Sequence, residues 1–480
     1  MVQDGTYTYR FDDDERGHVR TFKTGNGAGA TFTYDDRGLV KSLSVGTADG
    51  TKLLAETYRY DENGNWTKIE SPTGEAIVYR YDALDQLVEE QWPDGTTIAY
   101  TYDGFGNRKQ IVKTKDGQST TTTADYNAAN QLIRFGDETI MYDANGNRLE
   151  DGQYRYEWNE ADQLVSITRK GESTPFATYQ YDEDGRRIQK TVNGVVTNYH
   201  YQGDSLNVLY ETDASGSVVR SYVYSADGQR LAMKQGGVTY FYHYNAHGDV
   251  IALTDAQGNI VARYQYDAWG NILSQSGALA DENPYRYAGY QYDQETGLYY
   301  LIARYYRPEQ GVFLSLDPDP GDEDDILTQN GYTYANNNPV MLVDPDGKFA
   351  YAVGLYFVPG VGQVMLIGTA AVVGAYGAWY LGKKLGEIDW DHIKEEHGPK
   401  SNKKMKDGKK PKSKFKSNRT LKRTTRATAR TKPVRTGRYG RTIHEKTFKR
   451  PVGTDTRGKP TNRVRVIREP SGKVVTSFPF

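Results

Sequence analysis

The residues best suited to chemistry in this chain lie in two groups. The first is a pair of Asp-Pro clusters, Asp317-Pro318-Asp319-Pro320-Gly321 and Asp344-Pro345-Asp346-Gly347. Two carboxylates brought within a few ångströms share a proton, because like charges resist joint ionisation, and such a pair can activate water against a peptide bond. Asp-Pro also makes ordinary turns, and the bare pattern favours turns. The second group is histidine in a cationic setting: His392 and His397, then His444. Histidine titrates near neutral pH and can serve as both base and acid, while Arg, Lys and a hydroxyl can stabilise a charged phosphorane. Cleaving RNA without a metal requires those parts: a base for the 2′-OH, an acid for the leaving 5′-oxygen, and cations for the phosphate.

Charge supports the second group. Residues 390–480 hold 28 Lys/Arg against 7 Asp/Glu, whereas the preceding 389 residues hold 32 against 55, so a formal net charge of −2 hides two parts of opposite sign. A basic segment attached to an acidic carrier points to nucleic acid as partner. The chain has no Cys, which excludes a disulfide scaffold, a thiolate zinc site and a thiol nucleophile. Its first residues, MVQDGTYTYRFDDD, lack the basic and apolar regions of a secretory signal. The reading is therefore of a piece of a longer exported or surface-associated protein, or of one that travels by another route.

The elements that must position these groups begin with a repeat. An aromatic followed by Asp or Asn recurs at Tyr34, Tyr60, Tyr81, Tyr102, Tyr142, Trp158, Tyr181, Tyr244 and Tyr266, mostly about 16 to 26 residues apart. In Tyr142-Asp143-Ala144-Asn145-Gly146-Asn147-Arg148-Leu149 an alternating strand ends at the aromatic and a new one leaves after the turn. Asn-Gly predicts a tight hairpin turn with positive φ at both central residues. One hairpin cannot bury its apolar face alone, so neighbours must stack into a mostly β architecture. The 40 tyrosines are too many and too evenly spread to be catalytic; they are packing.

These copies resemble the YD repeats of Rhs-type proteins. The resemblance is strengthened by Tyr287-Ala288-Gly289-Tyr290-Gln291-Tyr292-Asp293, Glu295-Thr296-Gly297-Leu298-Tyr299-Tyr300, Arg304-Tyr305-Tyr306-Arg307-Pro308, Gly311-Val312-Phe313-Leu314-Ser315 and Asp317-Pro318, which look like the Rhs-associated core. It implies a partial β-hairpin shell around a variable C-terminal toxin, organised as repeats 1–285, core 286–347, an apolar pre-toxin segment 348–387 and a small α+β toxin domain 388–480. It also implies self-cleavage after the second cluster, with Asp317 or Asp319 and Asp344 as the dyad and the cut near Gly347-Lys348. The chain departs from the family pattern at Val312, where Arg is usual, and at Lys348, where Leu is frequent.

Residues Phe349 to Gly382 carry no charge, and Val361 to Gly382 would reach about 33 Å as a helix, enough to span a bilayer. Ala370, Gly374 and Ala378 would allow close helix approach, but Pro359-Gly360 breaks the run. A buried plug and a transient membrane contact during delivery are equal expectations.

In the basic part, Asp389 caps a short predicted helix that carries His392 and ends at Gly398-Pro399, with His397 where it unwinds. A Lys-rich linker, an Arg/Thr-rich stretch and a predicted hairpin (Val464–Ile467, then Val474–Phe478) follow, with Arg465 and Thr476 bordering a groove. The His-Ile-x-x-x-His start, the Lys412-Ser413-Lys414-Phe415 element and the ending Gly472–Pro479 resemble polymorphic toxin ribonucleases of the barnase–EndoU–colicin D–RelE class. That likeness implies His392, His397, Thr476, His444 and Arg465 in the cleft. Lys412, Lys414, Arg419, Arg438 and Arg441 are the candidate RNA contacts. No cofactor or metal is expected; the partners are a structured RNA such as tRNA and an acidic cognate immunity protein, and the site of action is the target-cell cytoplasm. Two rivals stand: a metal-dependent nuclease of the HNH type, since Asp391-His392 looks like the opening of such a site, and a non-enzymatic cell-wall or surface adhesin that binds by charge alone.

Overall fold

The alternating segments form strands throughout the computed structural model, which describes residues 2–3, 6–225, 228–319, 326–348 and 350–352 and, further on, 414–415, 428, 435–436, 442–448, 451–454, 459–468 and 474–479. The chain divides into two compact units, 1–367 and 368–480. The predicted helix around His392 and the apolar run 353–382 lie outside the described residues. Among the described residues no helix is long and apolar enough to cross a membrane.

The first unit is built from two antiparallel sheets of 14 strands each, in strict sequence order, one ending at Glu138–Thr139 and the next starting at Met141–Tyr142. Strictly sequential order means that every contact within a sheet is a hairpin contact, as the repeat period demands. A four-stranded sheet follows, Gln291–Asp293, Leu298–Leu301, Arg304–Arg307 and Val312–Phe313. Its second and third strands are buried along their whole length. The main core draws on both large sheets and on this segment, with Tyr100, Trp269, Tyr287, Tyr299, Tyr306 and Tyr334 among its buried aromatics.

The repeat turn differs from expectation. In the Asp143 copy the backbone closes from Asp143 N–H to the Asn147 carbonyl (2.9 Å) and from Gly146 N–H to the Asp143 carbonyl (3.1 Å). The Asp143 carboxylate accepts from the N–H groups of Asn145 (2.9 Å) and Asn147 (2.8 Å). Gly146 has φ 88°, and Asn145 is not among the residues with positive φ. The loop is thus longer than a two-residue hairpin turn and is held by the aspartate, so one left-handed residue suffices. The register shifts at the aromatic, between Met141 and Tyr142, as it does in nearly every copy.

The tyrosines do more than pack. Tyr60, Tyr81 and Tyr102 donate through their hydroxyls to the carbonyls of Val40 (2.7 Å), Trp66 (2.8 Å) and Leu87 (2.6 Å), the first strand residue after the preceding repeat's turn. The same bond recurs in the second sheet from Tyr201, Tyr224, Tyr244 and Tyr266. The hydroxyl thereby satisfies a carbonyl beside the bulge and ties each repeat to the previous one.

Candidate functional site

Arg304 organises the junction of the two Asp-Pro clusters. It opens a buried strand after a tight turn at Ile302, whose φ is 61°. Its Nη2 lies 2.7 Å from Asp317 Oδ2 and 3.3 Å from Asp344 Oδ2, so the two clusters meet on one nitrogen. Nη1 donates to the Gly331 carbonyl (3.0 Å), and Nε donates to the Gly347 carbonyl. The guanidinium also lies over the Phe313 ring, 3.6 Å from its centroid.

Backbone contacts fix both acids. Asp317 N–H donates to the Gly331 carbonyl (2.9 Å), and its carboxylate accepts from Asp319 N–H (2.7 Å). Asp344 N–H donates to the Tyr290 hydroxyl (2.7 Å), which is itself 3.0 Å from the Tyr334 hydroxyl. Gly347 has φ 69°, and a Cβ there would stand 2.4 Å from the Leu301 carbonyl oxygen and 3.0 Å from Arg304 N. Only glycine lets the chain come this close.

The peptide joining Gly347 to Lys348 is consequently gripped at both ends. Its carbonyl accepts from Arg304, and its N–H donates to Asp344 Oδ1 at 2.9 Å. Burial pushes the Asp317 carboxyl up to about 6 against the pull of Arg304. Burial pushes Asp344 up to about 7, against Arg304 and with repulsion from Asp346 and Asp317. A cavity of 40 Å³ opens beside Arg304, Asp317, Asp319, Asn330, Asp344 and Lys348, room for a water molecule. The arrangement offers a base, an acid and a polarising cation around one amide. Sequence reasoning named Asp317, Asp319 and Asp344 but passed over Arg304 and Tyr290, which look like two more members of an aromatic and basic run.

The basic unit supplies a second arrangement. Arg435–Thr436, Thr442–Thr447, Arg463–Arg468 and Val474–Pro479 form an antiparallel sheet in that order, and the predicted terminal hairpin is its last two strands. His444 is 5% exposed and pairs across with Val466, which in turn pairs with Ser477, both fully buried. The neighbouring register row runs Glu445, Arg465, Phe478 on the other face. Arg465 Nε donates to Glu445 Oε1 at 2.7 Å, and Arg463 Nη2 lies 3.5 Å from Glu445 Oε2. Thr476 stands opposite Ile467, two residues along from Phe478. Lys414 is in a short strand paired with Thr454. The structure therefore separates buried His444 from Arg465 by placing them on opposite faces. His392, His397, Lys412, Arg419, Arg438 and Arg441 lie outside the described residues. Among the described residues no cluster of His, Asp and Glu suited to a metal ion occurs.

The tRNA3(Ser)-specific nuclease WapA of Bacillus spizizenii is 52% identical over 501 residues, covering 100% of this chain and 21% of that protein. The tRNA nuclease WapA of Bacillus subtilis is 48% identical over 353 residues, covering 73% of this chain and 15% of that protein. The chain thus spans about a fifth or less of the length of these relatives. Among solved structures, the TcdB2-TccC3-Cdc42 crystal structure superposes with a TM-score of 0.60 at 20% identity, over 72% of this chain and 20% of that one, which is a likeness of fold. The teneurin YD-shell profile matches residues 20–340. Sequential 14-stranded sheets, a turn held by an Asp or Asn side chain in the repeat copies and that match together make the chain a member of the YD-shell family, among the Rhs-type YD-repeat proteins.

Proposed function

We propose that the chain is part of an interbacterial toxin in which the YD-repeat unit carries a metal-independent endoribonuclease against tRNA and releases it by self-cleavage. The observation that carries the reading is the extent of two alignments. The nuclease named for tRNA3(Ser) aligns over 100% of this chain, basic segment included, whereas the Bacillus subtilis relative aligns over 73% of it. An alignment that takes in the basic segment, beside a repeat family shared with several such nucleases, is what an effector on a common carrier produces. The basic excess of residues 390–480 suits a polyanionic substrate.

In the release step, Asp317 as the ionised partner takes a proton from a water in the cavity. That water adds to the Gly347 carbonyl, whose developing negative charge Arg304 stabilises. Asp344 as the protonated partner then gives its proton to the Lys348 nitrogen as the C–N bond breaks. Asp317 and Asp344 have proton affinities raised enough to divide these roles near neutral pH. In the effector, His392 and His397 move protons at the phosphodiester, with Thr476 and the Lys and Arg side chains of the groove holding the phosphate. A cognate acidic immunity protein covers that groove in the producing cell.

The test is incubation of the purified full chain with total bacterial RNA in EDTA, beside the His392→Ala variant. The reading expects tRNA to be cut with 2′,3′-cyclic phosphate ends and the variant to be slowed strongly. Cutting abolished by EDTA would favour the metal-dependent nuclease, and intact RNA with tight, charge-driven binding would favour the adhesin.

A further inference from the structure

We infer that a cavity in the repeat unit, beside Arg230, is a binding site for a phosphate-sized oxyanion that answers the charge of this guanidinium. Four strands of the two large sheets open on arginine: Arg108, Arg148, Arg187 and Arg230. All four hold the same backbone place, the carbonyl accepting from an aromatic further along the chain, Tyr126, Trp158, Tyr201 or Tyr244. Three of the side chains are provided for within the protein. Arg187 Nη1 and Nη2 reach Asp293 at 2.6 and 2.9 Å. Arg148 Nη1 lies 3.4 Å from Asp151 and donates to Gln310 (2.8 Å), and Arg108 Nη2 donates to the Glu309 carbonyl (2.9 Å).

Arg230 is the exception. Among the described residues its side chain pairs with no carboxylate, and the acceptor it reaches is the Gly289 carbonyl, 3.4 Å from Nη1. Its Nε, like those of Arg148 and Arg187, has no hydrogen-bond partner. Glu211 is already held by Arg220 (2.9 Å) and the Tyr222 hydroxyl (2.6 Å). Aromatic rings supply part of what is missing. The guanidinium lies 3.1 Å from the centroid of Tyr285, and 5.4, 5.4 and 5.9 Å from those of Tyr222, Tyr224 and Tyr242. Stacked rings engage the faces of a guanidinium, whereas its N–H donors lie at the edge, and a buried charge with unmet donors is costly.

A cavity of 120 Å³ meets that edge, lined also by Asn207, Tyr285, Tyr290, Ile302 and Pro345 and by no Asp or Glu among the described residues. Tyr285 is 4% exposed, and its hydroxyl likewise has no partner. Asn207, 8% exposed, adds a side-chain amide. The space exceeds what one water needs, and water would meet the donors without balancing the charge. A guanidinium edge, a hydroxyl and an amide around one site favour an anion with three or four oxygens over a carboxylate or a halide. Tyr290 accepts from Asp344 N–H (2.7 Å) and Pro345 follows Asp344, so the bound anion lies directly behind the segment that presents this acid.

The test is thermal unfolding of the full chain, followed by tyrosine near-ultraviolet circular dichroism, in sodium phosphate up to 10 mM against sodium chloride and sodium acetate at matched ionic strength. Wild type, Arg230→Met and Tyr285→Phe are compared. The midpoint of wild type is expected to rise by about 2 to 5 °C in phosphate and much less in the other two salts. Arg230→Met should lose the rise. Tyr285→Phe, which keeps the stacked ring but not the hydroxyl, should need about tenfold more phosphate for the same rise. An equal rise in chloride or acetate, an equal rise in Arg230→Met (phosphate then acting on the basic segment), or no rise in wild type overturns the site. If Arg230→Met does not fold, an unchanged phosphate dependence in Tyr285→Phe overturns it instead.

Discussion

Replacing Asp317 by Asn separates what the acid pair costs the fold from what it does. Burial holds the Asp317 carboxyl at about 6, against about 3.9 for an exposed aspartate. The folded chain therefore binds this proton more tightly than the unfolded chain. Below pH 4 both states hold it and the residue carries no ionisation penalty. Between about pH 4 and 6 stability falls by about 1.4 kcal/mol per pH unit, and beyond that the loss levels off near about 3 kcal/mol. The attraction of Arg304 at 2.7 Å is already contained in that balance. Asn has the same shape, stays neutral, and can still accept from Asp319 N–H. Asp317→Asn should accordingly stabilise the first unit by up to about 3 kcal/mol at pH 8 and by nothing at pH 4, a rise of a few degrees at the higher pH alone. Thermal unfolding followed by tyrosine near-ultraviolet circular dichroism reports the repeat sheets whether or not the chain has been cut. The same variant should lose self-release on gels. A variant as stable as wild type, or less stable, at pH 8 would mean that Arg304 fully compensates the buried charge, and the reasoning would fail.

Self-release should follow a bell-shaped pH profile with its maximum between about 6 and 7, the range set by Asp317 and Asp344, falling about tenfold per unit outside it; a rate independent of pH from 5 to 9 would contradict this. Arg304→Gln should slow release by at least about a hundredfold, since the Gly347 carbonyl loses its cationic donor, as timed gels would show. Gly347→Ala should also block release, because its Cβ would meet backbone at Leu301 and Arg304, and limited proteolysis should find the junction locally loosened. Tyr102→Phe should destabilise the repeat unit by about 1 kcal/mol, measured by urea unfolding, through the Leu87 carbonyl left without its donor.

The repeat was legible because period, aromatic and turn residues all belong to one hairpin and act locally. The turn type was misread because Asn-Gly alone points to a two-residue loop. The backbone closure from Asp143 and its carboxylate bonds involve residues two to four positions on, and these set the loop length. The tyrosine hydroxyl bonds escaped notice since each spans a whole repeat, as from Tyr102 back to Leu87. Asp317 and Asp344 were nameable from the Asp-Pro clusters, yet their meeting depends on Arg304, whose role is set by a buried strand and not by any local motif. His444 looked catalytic by residue type, but strand alternation places it on the buried face, opposite the row of Glu445 and Arg465, and that facing is fixed only once the strands are paired.

The claim that this chain carries a tRNA-directed ribonuclease is tested most directly by sequencing the cyclic-phosphate ends made by the full chain in EDTA-treated total RNA. The account predicts ends concentrated at one position in one or a few tRNA species. Ends scattered over ribosomal and messenger RNA, or none at all, would contradict it.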